Sequence, residues 1–400
     1  MHLPAGRRSV IRAIVLVLAT ALVTGVSGAQ SPGGPPAGFP AVPGLQLVDS
    51  MAAAEFARDS IASLTMGVVT PQGLVWTRSY GFADMSTRRL ASRSSVYRIG
   101  SITKMFTALM LHQLIAAGKI RVSDSVERYY PEIKEIRGYS RLTAPITVLQ
   151  LATMTSGIAR EPREEGPFWT GPVSQWESTL RAALPHTDIE FEPGTRFLYS
   201  NIGYAILGAT LGRVAGVPYV QWEKERILTP LGMQHTAFEI EPSIAAELAK
   251  GYDISPNDGP DPGQAVREGI AGRGFKVPNG ALFTTVDDLS KFLLLQLGHG
   301  PASVLPSARL DSAYSGVVAA SGELSGGYGL GFSVARRGDF TWYGHNGGVA
   351  GYVAMMYFDR EQQIGVIVLR NAGGGKVNPN KLAIDALEYL VKSKVAAGKK

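Results

Sequence analysis

Strand signals lie at both ends of this 400-residue chain, with helix signals between them. Near the start, β-rich runs at Ile61–Thr70 and Gly73–Phe82 are separated by Pro71-Gln72, which predicts a hairpin. After about residue 326 strand patterns return, at Tyr328–Val334, Phe340–Tyr343, Tyr352–Phe358 and Ile364–Leu369. Helical patterns at Leu45–Ala57 and about Asn380–Lys392 flank the two groups. A chain ordered this way builds one sheet from its two ends and carries the middle as an inserted, mainly helical region.

The inserted part has its own punctuation. Thr147 to Gln150 reads as a capping box, opening a helix expected to stop by Gly157. Asn201 to Ala215 reads as a helix whose Gly203, Gly208 and Gly212 permit close packing. Thr285 is expected to cap a helix ending at Gly298, and residues 252–280, rich in Gly, Pro and Asp, suit a rim over a cleft. No internal repeat is found.

Composition narrows the function. Residues 1–29 carry Arg7, Arg8 and Arg12, no acid, an apolar run from Ala13 to Val26, and Ser27-Gly28-Ala29. That is the pattern of a secretory signal, with cleavage expected after Ala29 and a periplasmic or secreted product; an uncleaved anchor is the alternative. Residues 30–44 form a Pro/Gly linker, and 45–395 the folded domain. Its sheet lobe is expected at about 45–100 and 326–395, and its helical lobe at about 101–325. Beyond the leader, 36 basic residues face 33 acidic ones, too even a balance to imply a nucleic-acid partner. The absence of cysteine excludes disulfides and thiol chemistry, and the six histidines show no metal-ligand spacing. No Gly-x-Ser-x-Gly elbow, phosphate loop or dinucleotide fingerprint occurs, so no cofactor is implied.

The candidate chemistry lies in Arg98-Ile-Gly-Ser101-Ile-Thr-Lys104-Met-Phe106, a turn entering a helix. Ile102, Met105, Phe106, Leu109 and Met110 follow helical spacing, and Leu111, Leu114 and Ile115 widen the apolar surface until the helix is buried nearly all round. Ser101 and Lys104 fall one turn apart on one face. A lysine there needs a partner or gives up its proton, and a desolvated amine beside a hydroxyl can activate a serine nucleophile. The helix start would also aim backbone N–H groups at an oxyanion on Ser101. Ser-x-x-Lys alone occurs by chance about once in a chain of this size.

Two later motifs give it weight. Tyr199-Ser200-Asn201 opens the glycine-bearing helix, and His345-Asn346-Gly347, followed by Gly348, falls between two predicted strands. Read separately, Tyr199 is a helix-entry aromatic, Asn201 a helix N-cap and His345 a strand-end histidine. Together and in this order, the three motifs resemble the serine β-lactamase and penicillin-binding family, particularly its class C and DD-peptidase branch. The resemblance covers most of residues 50–395, including Leu151–Gly157, Pro193–Leu231 and Asn279–Asp288.

It implies a mixed α/β fold, a five-stranded antiparallel sheet flanked by helices with an all-helical lobe. It also implies Ser101 as nucleophile, Lys104 as its activator and Tyr199 as general base, then acid. Asn201 would hold the substrate amide, the N–H groups of Ser101 and Gly348 the oxyanion, and His345, Asn346 and Gly347 the substrate. Classical β-lactamases carry Lys-Thr-Gly at the third motif, and His-x-Gly resembles DD-peptidases, D-aminopeptidases and family esterases instead. The expected activity is hydrolysis of D-alanyl peptides, including cell-wall peptides, or of small esters, with at most weak β-lactam hydrolysis. A class C-type β-lactamase and a non-catalytic binder of cell-wall peptides are the alternatives. Histidine in place of lysine further implies carboxylate recognition that weakens between about pH 6 and 8.

Overall fold

The two strand groups combine into one sheet. The computed structural model describes residues 42, 44–255, 259–314, 318–319 and 326–398. The leader, and the linker apart from Val42 and Gly44, therefore lie outside the described residues. The hairpin Ser63–Thr70 and Gly73–Asp84 lies beside Ile364–Arg370, joined antiparallel from Leu64 opposite Arg370 to Val69 opposite Gly365.

From edge to edge the sheet runs Arg89–Leu90, Gly73–Asp84, Ser63–Thr70, Ile364–Arg370, Tyr352–Asp359, Phe340–Val349, Ser333–Arg337, Gly326–Tyr328 and Val318–Ala319. The mixed α/β class holds, but nine described strands replace the expected five. Five long strands form the body, and short ones extend both edges. The stretch Tyr328–Val334, expected as one strand, is split because Gly331 turns at φ 92°, where a Cβ would lie 2.3 Å from that of Ala108.

Both central strands, Ser63–Thr70 and Ile364–Arg370, are buried along their whole length, because helices cover both faces. Leu45–Phe56 and Pro379–Gly398 cover one face, enclosing Leu64, Met66 and Val68 with Leu387 and Leu390. Val286–Gln296 covers the other, where Val69, Ile367 and Leu369 join Leu289 and Leu293 in the larger core. Side chains two apart share a face, as the pleat requires.

That larger core continues into the helical region. The helix Thr103–Ala116 is buried from Thr103 through Leu111, and Phe106 stacks on Phe292 at 3.8 Å between ring centroids. The Thr147–Gln150 capping box is present, but its helix is only Val148–Ala152, shorter than expected. Met154 takes φ 61° just beyond it and turns the chain away. Asn201–Ala215 matches its predicted span and closes on Gly216 in the left-handed conformation.

Candidate active site

The turn bearing Ser101 is fixed from both lobes. Tyr97–Arg98 pairs with Phe283–Thr284, and the Ile99 N–H donates to Leu282 O at 3.0 Å. A 3₁₀ turn, Gly100–Ile102, then feeds the helix Thr103–Ala116. Ser101 is half-buried in this first turn, where N–H groups lack intrahelical acceptors. Lys104 is fully buried.

The Lys104 Nζ has three hydrogen-bond partners: Asn201 Oδ1 at 2.7 Å, Asn279 O at 3.0 Å and Ser101 Oγ at 3.2 Å. Burial pushes its pKa well below the ordinary lysine value. Arg160, Arg273 and Lys276 act in the same direction, and Glu161 opposes them. An uncharged amine has two N–H donors and one lone pair. In that form, with the donors on Asn201 and Asn279, the lone pair would be left for the Ser101 hydroxyl.

Tyr199-Ser200-Asn201 is held at the start of its helix by Ser200, not Asn201. The Ser200 hydroxyl accepts from Gly203 N–H at 2.9 Å and donates to Ala159 O at 2.8 Å. With capping done by Ser200, the Asn201 amide is free to face Lys104, and its Nδ2 donates to Glu161 Oε1 at 2.6 Å. Asn279 Nδ2 donates to Asn201 O at 2.9 Å, so the two asparagines brace one another around the amine.

The Tyr199 ring is half-buried, with Lys104 Nζ 4.8 Å and Arg160 Cζ 4.9 Å from its centroid. Burial raises its phenol above the ordinary tyrosine value. The hydrogen bond with Ser101 and the charge of Arg160 lower it without cancelling that rise. The phenol is therefore neutral at neutral pH.

His345-Asn346-Gly347 does not lie between strands as expected. It sits inside Phe340–Val349, paired with Tyr352–Asp359 from His345 opposite Met356 to Gly348 opposite Val353. Its glycines serve a close approach. A Cβ on Gly347 would lie 1.9 Å from Ile99 O and 3.1 Å from Ser101 N, so the strand runs directly against the turn bearing Ser101. Gly348 and Asn346 are exposed, and a Cβ on Gly348 would meet nothing within 4 Å.

His345 corrects a further expectation. It is 3% exposed, and its Nδ1 faces Asn346 O, which can only accept, so Nδ1 carries the proton. Nε2 then accepts from the Tyr328 hydroxyl at 3.0 Å. Burial, with Lys104 nearby, pushes its pKa down to about 3. It is a neutral wall residue against Tyr199 and Tyr328, and it does not titrate between pH 6 and 8.

Ser101, Lys104, Tyr199 and Asn201 thus converge, with Gly347 and Gly348 alongside. Asn279 and Glu161 belong to the same cluster and were not singled out as site residues. Asn279 lies in a stretch that carries the resemblance, whereas Glu161 had no signal beyond its loop.

A family model described as Beta-lactamase matches residues 48–390. The chain belongs to the Beta-lactamase family. Within this serine-hydrolase family it is 28% identical over 340 residues to Beta-lactamase-like protein 4 of Dictyostelium discoideum, covering 80% of this chain and 58% of that one. It is 28% identical over 268 residues to Putative beta-lactamase-like 1 of Homo sapiens, covering 65% and 51%. The chain thus spans little more than half the length of these two Beta-lactamase relatives. Among solved structures, an octameric penicillin-binding protein homologue from Pyrococcus abyssi superposes with TM-score 0.73 and 26% identity over 87% of this chain and 78% of that one. A class C beta-lactamase superposes with TM-score 0.70 and 19% identity, over 87% and 95%, a likeness of fold.

Proposed function

We propose that the chain is an exported serine hydrolase that forms an acyl-enzyme on Ser101 and cleaves amide or ester bonds of D-alanyl peptides, including cell-wall peptides, or of small esters. The observation that carries this reading is the Lys104 amine, desolvated and held by Asn201 and Asn279 with its remaining valence on Ser101 Oγ. The leader-like residues 1–29 support export, and N-terminal sequencing of the secreted protein should begin at Gln30.

In the proposed reaction, Ser101 Oγ attacks the substrate carbonyl carbon as its proton passes to Lys104 Nζ. The N–H groups of Ser101 and Gly348 receive the oxyanion, each such donor being worth about 3 kcal/mol. Collapse breaks the carbonyl–nitrogen or carbonyl–oxygen bond, and the Tyr199 hydroxyl gives its proton to the leaving group. Lys104 returns a proton to the phenolate, and water releases the acyl group by the reverse steps. Lys104 rather than Tyr199 takes the first proton because the amine is shifted down and the phenol up.

The test is a panel of D-Ala-D-Ala peptides, D-amino-acid amides, p-nitrophenyl esters and nitrocefin, with Ser101→Ala as blank and intact-mass detection of the acyl adduct. Peptide or ester turnover with an adduct on Ser101 supports the reading. Nitrocefin turned over faster than either would make the chain a β-lactamase, and labelling that survives Ser101→Ala would remove the nucleophile.

A further inference from the structure

With His345 buried and neutral, the strand offers no cation to a substrate carboxylate, and the basic side chains clustered around Lys104 are already partnered. Lys104 is buried with its three partners Asn201, Asn279 and Ser101. Lys276 Nζ lies 3.5 Å from Glu161 Oε1 and 3.9 Å from the Trp169 ring centroid. Arg273 Nη1 lies 2.5 Å from Glu268 Oε2, and Arg98, almost wholly buried, shares that oxygen at 3.4 Å.

Arg160 differs from all of these. It is exposed, its guanidinium carbon lies 4.9 Å from the Tyr199 ring centroid, and it makes no ion pair among the described residues. Its backbone is fixed against the catalytic turn. Arg160 O accepts from Asn201 N–H at 2.9 Å and from Ile202 N–H at 3.4 Å. On either side, Ala159 O takes the Ser200 hydroxyl and Glu161 takes the Asn201 amide. The guanidinium is thus a charged fork mounted on a rigid segment and laid over an aromatic face, which leaves its N–H edge for a planar anion.

We infer that Arg160 is the specificity residue that receives the carboxylate of an anionic substrate, replacing the strand cation that His345 does not supply. This rests on the hydrolase reading above. It assigns carboxylate recognition to the loop of the helical lobe rather than to the strand of the sheet. A charge-assisted fork of this kind is typically worth about 10- to 100-fold in discrimination.

The test compares kcat/KM for an acyl-D-Ala-D-Ala peptide as the free acid and as its C-terminal amide. In Arg160→Gln the acid-to-amide ratio should fall about 10- to 100-fold, mainly through KM of the acid, and Arg160→Lys should restore part of it. In the wild type the ratio should shrink as salt rises, because the contact is exposed. A ratio unchanged in Arg160→Gln overturns the inference. Equal losses on acid and amide overturn it too, since they assign Arg160 to Tyr199 alone. If the wild type turns over neither peptide and no adduct forms on Ser101, the hydrolase reading fails instead.

Discussion

The Nζ of Lys104 stands closer to Asn201 Oδ1, at 2.7 Å, than to Ser101 Oγ, at 3.2 Å. The neutral amide adds no charge that favours a proton on the amine, whereas a carboxylate there would hold one on it. Asn201→Asp should therefore raise the acid limb of the pH–rate profile and cut kcat/KM at pH 7 by about 100-fold or more. Asn201→Ala should slow the reaction without moving the limb upward. An acid limb unmoved in Asn201→Asp would remove Lys104 as the proton acceptor.

Tyr199 is assigned to the leaving group, so its removal should matter where that group needs a proton. Tyr199→Phe should cost about 100-fold on amides and about tenfold or less on p-nitrophenyl esters, whose phenolate departs unaided. Steady-state kinetics on matched substrates decide it. Equal losses would return the first proton transfer to Tyr199.

His345 links folding to pH. Its folded pKa, about 3, lies below the unfolded value near 6.5, so between these the unfolded chain binds the extra proton. Its contribution to stability is whole above about pH 6.5 and is lost as pH falls towards 3. At pH 5 the cost should be about 2 kcal/mol relative to pH 7. Urea titrations at the two values, with His345→Gln losing that part of the slope, measure it.

Glu223 should act with the opposite sign. It is fully buried, and burial pushes its carboxyl up to about 8. Its contribution is present below about pH 4.5 and drains away as pH rises through 8. Glu223→Gln should stabilise the protein at pH 8 by about 2 kcal/mol or more, and less at pH 6. Thermal unfolding across that range would show it, and an equal gain at both values would not fit.

Gly347→Ala and Gly348→Ala should behave differently although they are neighbours. The first drives a methyl group into Ile99 O, and the strand must retreat from the Ser101 turn. A loss of about 2 kcal/mol in urea stability is expected, with turnover of p-nitrophenyl esters in the proposed reaction down about 100-fold as the Ser101 and Gly348 N–H groups separate. The second meets open space, and its stability should stay within about 1 kcal/mol of the parent.

What could be read from the sequence was what depends on near neighbours. The hairpin around Pro71-Gln72, the Thr147 capping box and the helix Asn201–Ala215 each carry their signals within a few residues. The third motif was misplaced because its glycines carry no local strand signal and the predicted strand ends at Tyr343. Here Gly347 answers a contact with Ile99, far away in the chain. Glu161 and the Asn279 carbonyl were missed as site groups for the same reason, since their partners Asn201 and Lys104 are close only in space. The state of His345 was hidden too, because the residue type supplies a pKa near neutrality and only burial against Tyr328 removes it.

The pairing of Ser63–Thr70 with Ile364–Arg370 also sets an order of events. The segment bearing Ser101 is made early, yet the strand bearing Gly348 takes its place only after the whole inserted helical region has been made. A loop of that length closes late, after helices and hairpins have formed. On the proposed mechanism, the emerging polypeptide holds Ser101 before Gly348 is in place to receive an oxyanion, and so stays inert. Activity recovered during refolding should therefore lag behind helix formation and coincide with closure of the central pair of strands.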